Sequence, residues 1–178
     1  MSETPARTAA IAIPIPRAGS VTLQFQEFFE AEYERLGRAL YVLTGSASEA
    51  DELAQEAMVR VYERWGRVSS MDSPAGYLYR TAMNLYRSRL RQIKSRARKH
   101  IAPDPEPDGF EVVENRDQLR RLLAMLPDGE RQALALVEVL GLSTEEAGDA
   151  LNVEPVSVRV RLSRARARLR RQAGVGDG

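Results

Sequence analysis

The chain has 178 residues, of which 43% are hydrophobic and 29% charged, enough to bury one core or two small ones. It has no Cys and a single His, His100, which excludes disulfides, thiol nucleophiles, Cys-based zinc sites and nearly all histidine chemistry. The net charge of +1 conceals a division along the chain. Tyr86 to His100 carries Arg87, Arg89, Arg91, Lys94, Arg96, Arg98 and Lys99 with no acid. Residues 101–115 carry Asp104, Glu106, Asp108, Glu111 and Glu114 with no base, and the C-terminal end is basic again. That pattern suggests two nucleic-acid surfaces joined by an anionic connector.

Residues 1–22 are rich in Pro, Ala, Gly and Thr and lack the basic start and continuous apolar segment of a secretory signal, so they read as a flexible tail. No apolar run reaches the length of a membrane span. From residue 23 to 100 the spacing predicts a three-helix module. Phe25, Phe28, Tyr33, Leu36, Leu40 and Leu43 form one apolar stripe, interrupted by Glu32 and ending near Gly45. Ser48 is a candidate N-cap for a second helix, Glu49 to about Arg64, and residues 66–73 read as a loop. Pro74 suits the first position of a third helix, on which Leu78, Ala82, Leu85 and Ile93 point inward. Pro103, Pro105, Pro107 and Gly109 break any continuation and make residues 101–115 a flexible acidic linker. A second module of about four helices spans residues 116–172, with breaks at Pro127–Gly129 and Gly141–Ser143, and residues 173–178 form a loose end. No strand signal competes, so the fold class is all-α.

Three helical faces carry chemistry. On the second helix Glu52, Gln55 and Glu56 share a side with Val59 and Glu63, away from Leu53, Ala54, Ala57, Met58 and Val61. The ordinary reading is a solvated face; the functional one is a dock for a basic partner helix. On the third helix Arg80, Asn84, Arg87, Arg91 and Lys94 lie opposite the apolar side, near Trp65, Tyr77 and the preceding loop. A basic face surrounding an amide, beside aromatics, suits single-stranded nucleic acid. Equally, the aromatics could be core. On the last helix Val158, Leu162, Ala165 and Leu169 make the apolar stripe, while Val160, Ser163, Arg164 and Ala167 lie opposite, with Arg159 at the edge. Small residues there would let the helix sink into a major groove, with Arg159 and Arg164 reaching guanine edges or phosphates and Ser157 a phosphate. A short helix and a turn precede it, which favours a helix-turn-helix over a plain basic helix.

The segments EADELAQEAMVRVYERW, SPAGYLYRTAMNLYRSRLR and LPDGERQALALVEVLGLSTEEAGDALNVEPVSVRVRLSRARARL, in this order, resemble the extracytoplasmic-function group of bacterial RNA polymerase sigma factors. The resemblance covers about Phe25 to Arg171. It implies two small helical domains, sigma region 2 and sigma region 4. It also implies a cytoplasmic, non-enzymatic protein without cofactor or metal, partnered by core RNA polymerase, promoter DNA and an anti-sigma factor. By similarity, Asp51, Glu52, Gln55 and Glu56 bind core polymerase. Val68, Ser69, Ser70, Met71, Asp72 and Ser73, with Arg80, Asn84, Arg87 and Arg91, open and hold the −10 element. Ser157, Arg159, Val160, Arg161, Ser163 and Arg164 read the −35 element, and the acidic linker threads the polymerase cleft. The chain departs from the family in having Glu52 for a usual Asp, Asn152 for a usual Gly in the turn, and Ala147–Gly148 for a bulky-apolar/Ala pair. A conventional helix-turn-helix regulator, whose first module dimerises or senses, is the competing reading. A nucleic-acid enzyme fits poorly, since the acids lie on a helix face without His support and in a Pro-broken linker.

Overall fold

A computed structural model describes residues 18–98 and 114–172, which are helical apart from short connections. The predicted tail before residue 18, most of the acidic linker and residues 173–178 lie outside the described residues. The first helix, α1 (Ala18–Thr44), begins within the stretch read as tail. Extending a formed helix costs far less than nucleating one, so the backbone continues upstream of the apolar stripe. Gly45 ends it at φ +70°, its N–H donating to the Tyr41 carbonyl at 2.8 Å, the left-handed closure that glycine adopts without a Cβ clash.

That turn reverses the chain early, so Ser46 rather than Ser48 caps α2 (Ala47–Tyr62), accepting from the Glu49 N–H at 3.2 Å. Where a plain loop was expected, one helical turn, α3 (Trp65–Val68), buries Trp65 and Val68. The fourth helix, α4 (Pro74–Arg98), starts at the predicted proline, with the Ser73 hydroxyl accepting from the Gly76 N–H at 3.0 Å. Leu78, Ala82 and Leu85 are buried, but Ile93 is 49% exposed. The inward expectation fails there because α4 outruns the helices that cover it, and residues 91–97 are all exposed.

In the second module α5 (Glu114–Ala124) leads to α6 (Asp128–Leu134), which widens into a π-helical segment, Ala135–Val139. The helix-turn-helix is α7 (Thr144–Leu151) and α8 (Pro155–Gln172). Ser143 and Glu146 cap α7 reciprocally, satisfying two N–H groups that a helix start leaves open. Asn152 closes α7 in the left-handed region at φ 54°, which Asn tolerates better than most residues. Gly148 is there for closeness rather than looseness. A Cβ on it would lie 2.8 Å from the Val153 carbonyl oxygen.

The two modules share a core. Leu36, Leu40 and Met83 of the first belong to one buried cluster with Leu136, Leu140, Leu151 and Val158 of the second. A smaller cluster of Leu123, Leu126, Leu134, Leu162 and Ala165 seats α8 on α5 and α6. The seam runs where α1 meets the π segment and α4 meets α7. Glu32, the break in the α1 stripe, is buried there and satisfied. It accepts from the Tyr79 hydroxyl and from Arg35 at 3.1 Å, while Arg35 also reaches the Leu140 carbonyl at 2.9 Å. Burial and the Glu32 hydrogen bond both hold the Tyr79 phenol well above its ordinary pKa, so it stays a donor.

Candidate nucleic-acid and partner interface

The amphipathic spacing of α2 places Asp51, Glu52, Gln55 and Glu56 on its exposed side while Leu53, Ala54, Ala57 and Met58 enter the core. Asp51 accepts from the Tyr33 hydroxyl at 2.5 Å and from the Gln55 amide at 2.7 Å. Burial, then that bond, raises the Tyr33 pKa. Glu56 pairs with Arg60 at 2.6 Å and Glu52 with Arg89 at 2.9 Å. Exposed pairs of this kind contribute little, so a basic partner can exchange for either arginine. Val59 and Tyr62, both more than half exposed, add an apolar edge. Val59 shares the face in the sequence. Tyr62, seven residues after Gln55, falls on the same face by the same period but was not singled out there; its ring packs against Phe25 at 4.8 Å between centroids.

The loop and α4 separate the sequence-predicted residues. Val68 is fully buried, so its side chain belongs to the core and is not free to touch a ligand. Met71 is half-buried against that core. Ser69, Ser70, Asp72 and Ser73 are exposed, with the Ser70 hydroxyl donating to the Arg67 carbonyl at 2.9 Å. Tyr77 accepts from Arg64 at 2.9 Å. On α4, Asn84 and Arg91 are exposed. Arg80 and Lys94 are exposed too and Arg87 is half-buried, and all three also reach the second module. Arg80 donates to the Asp149 carbonyl at 3.0 Å, and Arg87 to the Leu151 carbonyl at 2.8 Å and the Gln132 side-chain oxygen at 3.2 Å. Lys94 reaches Asp128 at 2.8 Å. Burial first, then Arg161 and Arg91, lower the Arg87 pKa. A cleft of about 500 Å³ opens at this seam, lined in part by Met71, Ser73, Arg80, Leu142 and Glu146.

The last helix holds its stripe as predicted, with Val158, Leu162 and Ala165 buried. Val160, Ser163 and Arg164 stand on the opposite, exposed side, and Ser157 is half-buried at the helix start. Arg164 has no acidic partner among the described residues. Other arginines of α8 are less free than their sequence suggests. Arg159 lies against Glu145 at 3.5 Å and Thr144 at 3.3 Å, Arg166 bonds Glu138, and Arg168 is 3.0 Å from Glu130. Arg161 is half-buried, its guanidinium carbon 3.5 Å from where a Gly129 β-carbon would lie. It therefore lies against α6 of its own module rather than standing out with Val160, Ser163 and Arg164. These acids belong to preceding helices, and no spacing within α8 could announce them.

Residues 28–97 match the model of sigma-70 region 2, and residues 116–169 that of sigma-70, region 4. Together they span more than two thirds of the chain. The RNA polymerase sigma-E factor of Streptomyces coelicolor is 28% identical over 157 residues, covering 87% of this chain and 89% of that protein. The ECF RNA polymerase sigma factor SigM of Mycobacterium tuberculosis is 28% identical over 151 residues, covering 84% of this chain and 77% of its own length. The same fold occurs in the sigma factor RpoE of Bartonella quintana, solved in complex with the anti-sigma factor NepR. There the TM-score is 0.69 at 20% identity, over 86% of this chain and 99% of that one. With both regions present in order, on an all-helical scaffold that ends in a basic, largely exposed helix, the chain belongs to the extracytoplasmic-function group of the sigma-70 family of RNA polymerase sigma factors.

Proposed function

We propose that this sigma factor directs promoter-specific initiation through three separate faces, as a cytoplasmic protein with no catalytic step of its own. Asp51, Glu52, Gln55 and Glu56 bind a basic helical surface of core polymerase. Ser69, Ser70, Asp72 and Ser73, with Arg80, Asn84, Arg87 and Arg91, take the melted −10 strand. There an unstacked base costs only a few kcal/mol to hold if a pocket compensates. Ser157, Arg159, Val160, Ser163 and Arg164 read the −35 duplex, Val160 against a thymine methyl and Arg164 against a guanine edge or phosphate. The observation that carries the reading is the exposure of Val160, Ser163 and Arg164 on α8 together with Asn84 and Arg91 on α4, two polar faces on different helices. An anti-sigma factor is the expected inhibitor, in keeping with the relative solved in such a complex.

Run-off transcription with core polymerase over a randomised promoter library tests the whole. Dependence of specific transcripts on this chain is the expected result. Within it, Glu56→Arg loses affinity for core while circular dichroism shows the fold retained. Unchanged core affinity would remove the α2 face from the assignment.

A further inference from the structure

We infer that residues 11–16, Ile-Ala-Ile-Pro-Ile-Pro, dock within the same chain in an aromatic groove between α1 and α2. The inference goes beyond the three-face reading and does not depend on it. Phe25, Phe29 and Tyr33 follow one another along one side of α1, and Gln55, Val59 and Tyr62 along one side of α2. The two rows run antiparallel and meet at both ends. The Phe25 and Tyr62 rings are 4.8 Å apart between centroids at one end, and the Tyr33 hydroxyl donates to Asp51 at 2.5 Å at the other. Between them Phe29 stacks on Tyr33 at 4.5 Å. Phe29 is 36% exposed, Val59 55% and Tyr62 52%, so the described residues leave this groove open. Aromatic-lined grooves of this kind take Pro-rich extended segments.

Reach, chemistry and charge select the occupant. Because α1 begins at Ala18, only Arg17 separates Pro16 from the helix start. At about 1.5 Å per helical residue, Phe25 lies roughly 10 Å along α1 and Phe29 roughly 16 Å. At about 3.1 Å per extended residue, the path from Pro16 back to Ile11 covers roughly 15 Å. A segment doubling back beside α1 therefore passes Phe25 and ends near Phe29. Pro14 and Pro16 favour extended backbone at Ile13 and Ile15, so little freedom is lost on docking. A short tether holds such a segment at about millimolar effective concentration, and a weak intrinsic affinity then suffices. The rims of the groove carry exposed Glu30 on α1 and Glu63 on α2. Residues 1–17 hold Arg7 and Arg17 against a single acid, Glu3, so their charge complements those rims. A second copy seated on the same groove would instead set acidic rim against acidic rim.

The absence of cysteine lets a nitroxide be placed on the full chain at Ala10→Cys, with paramagnetic broadening of amide signals as the readout. The label should erase the signals of Phe29, Gln55 and Val59 and leave those of α8 intact. Adding Ile13→Asp and Ile15→Asp should restore them, because carboxylates do not enter an apolar groove uncompensated. From the other side, Val59→Glu, shown helical by circular dichroism, should restore Phe29 and Gln55. Signals that stay erased in the double Asp variant, as a loosely tethered segment would produce, overturn the inference. So do signals that the label never erases. Isotope-labelled wild-type chain mixed with spin-labelled chain of natural isotope content separates the two possible sources of the segment. Erasure of Phe29 and Val59 in that mixture gives the groove to a second copy and overturns docking within one chain, whereas intact signals there support it.

Discussion

The guanidinium of Arg87 joins the two modules by donating at once to the Leu151 carbonyl and to the Gln132 side-chain oxygen. A planar fork can serve two acceptors in fixed directions, and an ammonium cannot reproduce that geometry. Arg87→Lys should therefore loosen the seam while each module stays helical. Small-angle scattering checks this. An increased radius of gyration with unchanged helical circular dichroism is expected, and an unchanged radius would show that the apolar part of the seam holds by itself.

Gly148→Ala should destabilise the second module by about 1–3 kcal/mol, the usual cost of forcing an extra methyl into a packed site. The obstacle is the Val153 carbonyl, 2.8 Å from the added Cβ, and backbone does not swing aside like a long side chain. Thermal denaturation would show a lower midpoint. A midpoint equal to wild type would mean that the turn between α7 and α8 shifts cheaply.

The arginines of α8 should divide into readers and struts. Arg164 is exposed and has no acidic partner among the described residues, whereas Arg168 pairs with the buried Glu130. Arg164→Ala is expected to weaken duplex binding and, if it meets a phosphate, to lower the slope of log affinity against log salt by about one. Arg168→Ala is expected to cost stability instead, about 1–3 kcal/mol for a buried carboxylate left without its partner. Denaturation and salt titrations on both variants separate the roles. An Arg168 variant of normal stability with weak DNA binding would reverse the division.

The seam should weaken in acid. Burial alone would raise the Asp128 pKa, but Lys94 and Arg131 outweigh it and hold the carboxyl below its ordinary 3.8. A depressed carboxylate pKa contributes stability that is fully present above the unfolded value and lost as pH falls through the folded one. The stability difference between wild type and Asp128→Asn should thus be constant near neutrality and shrink below about pH 3.8. Thermal melts across that range measure it. A gap that persists in strong acid would mean the ion pairs of Asp128 are not its source.

Much of the local structure was legible. The α8 stripe of Val158, Leu162 and Ala165 is buried as its spacing requires, Pro74 opens α4, and the acidic face of α2 is exposed. Each of these follows from a helical period or a backbone restriction that neighbouring residues settle among themselves. The misses share a different cause. Ser46 displaced Ser48 because Gly45 turned the chain first, Val68 left the candidate site because a turn of helix drew it into the core, and Ile93 lost its cover because α4 extends past its neighbours.

By itself the sequence determined two all-helical modules, their basic and acidic faces and the family to which they belong, because periodicity, capping and motif are short-range properties. Only the tertiary structure decided where the basic side chains go. Arg80, Arg87 and Lys94 meet the second module, Arg159, Arg166 and Arg168 meet acids of preceding helices, and Arg164 stays open. A charged donor bonds whatever acceptor the fold brings within about 3 Å, and those acceptors stand on other helices, beyond the reach of any local spacing rule.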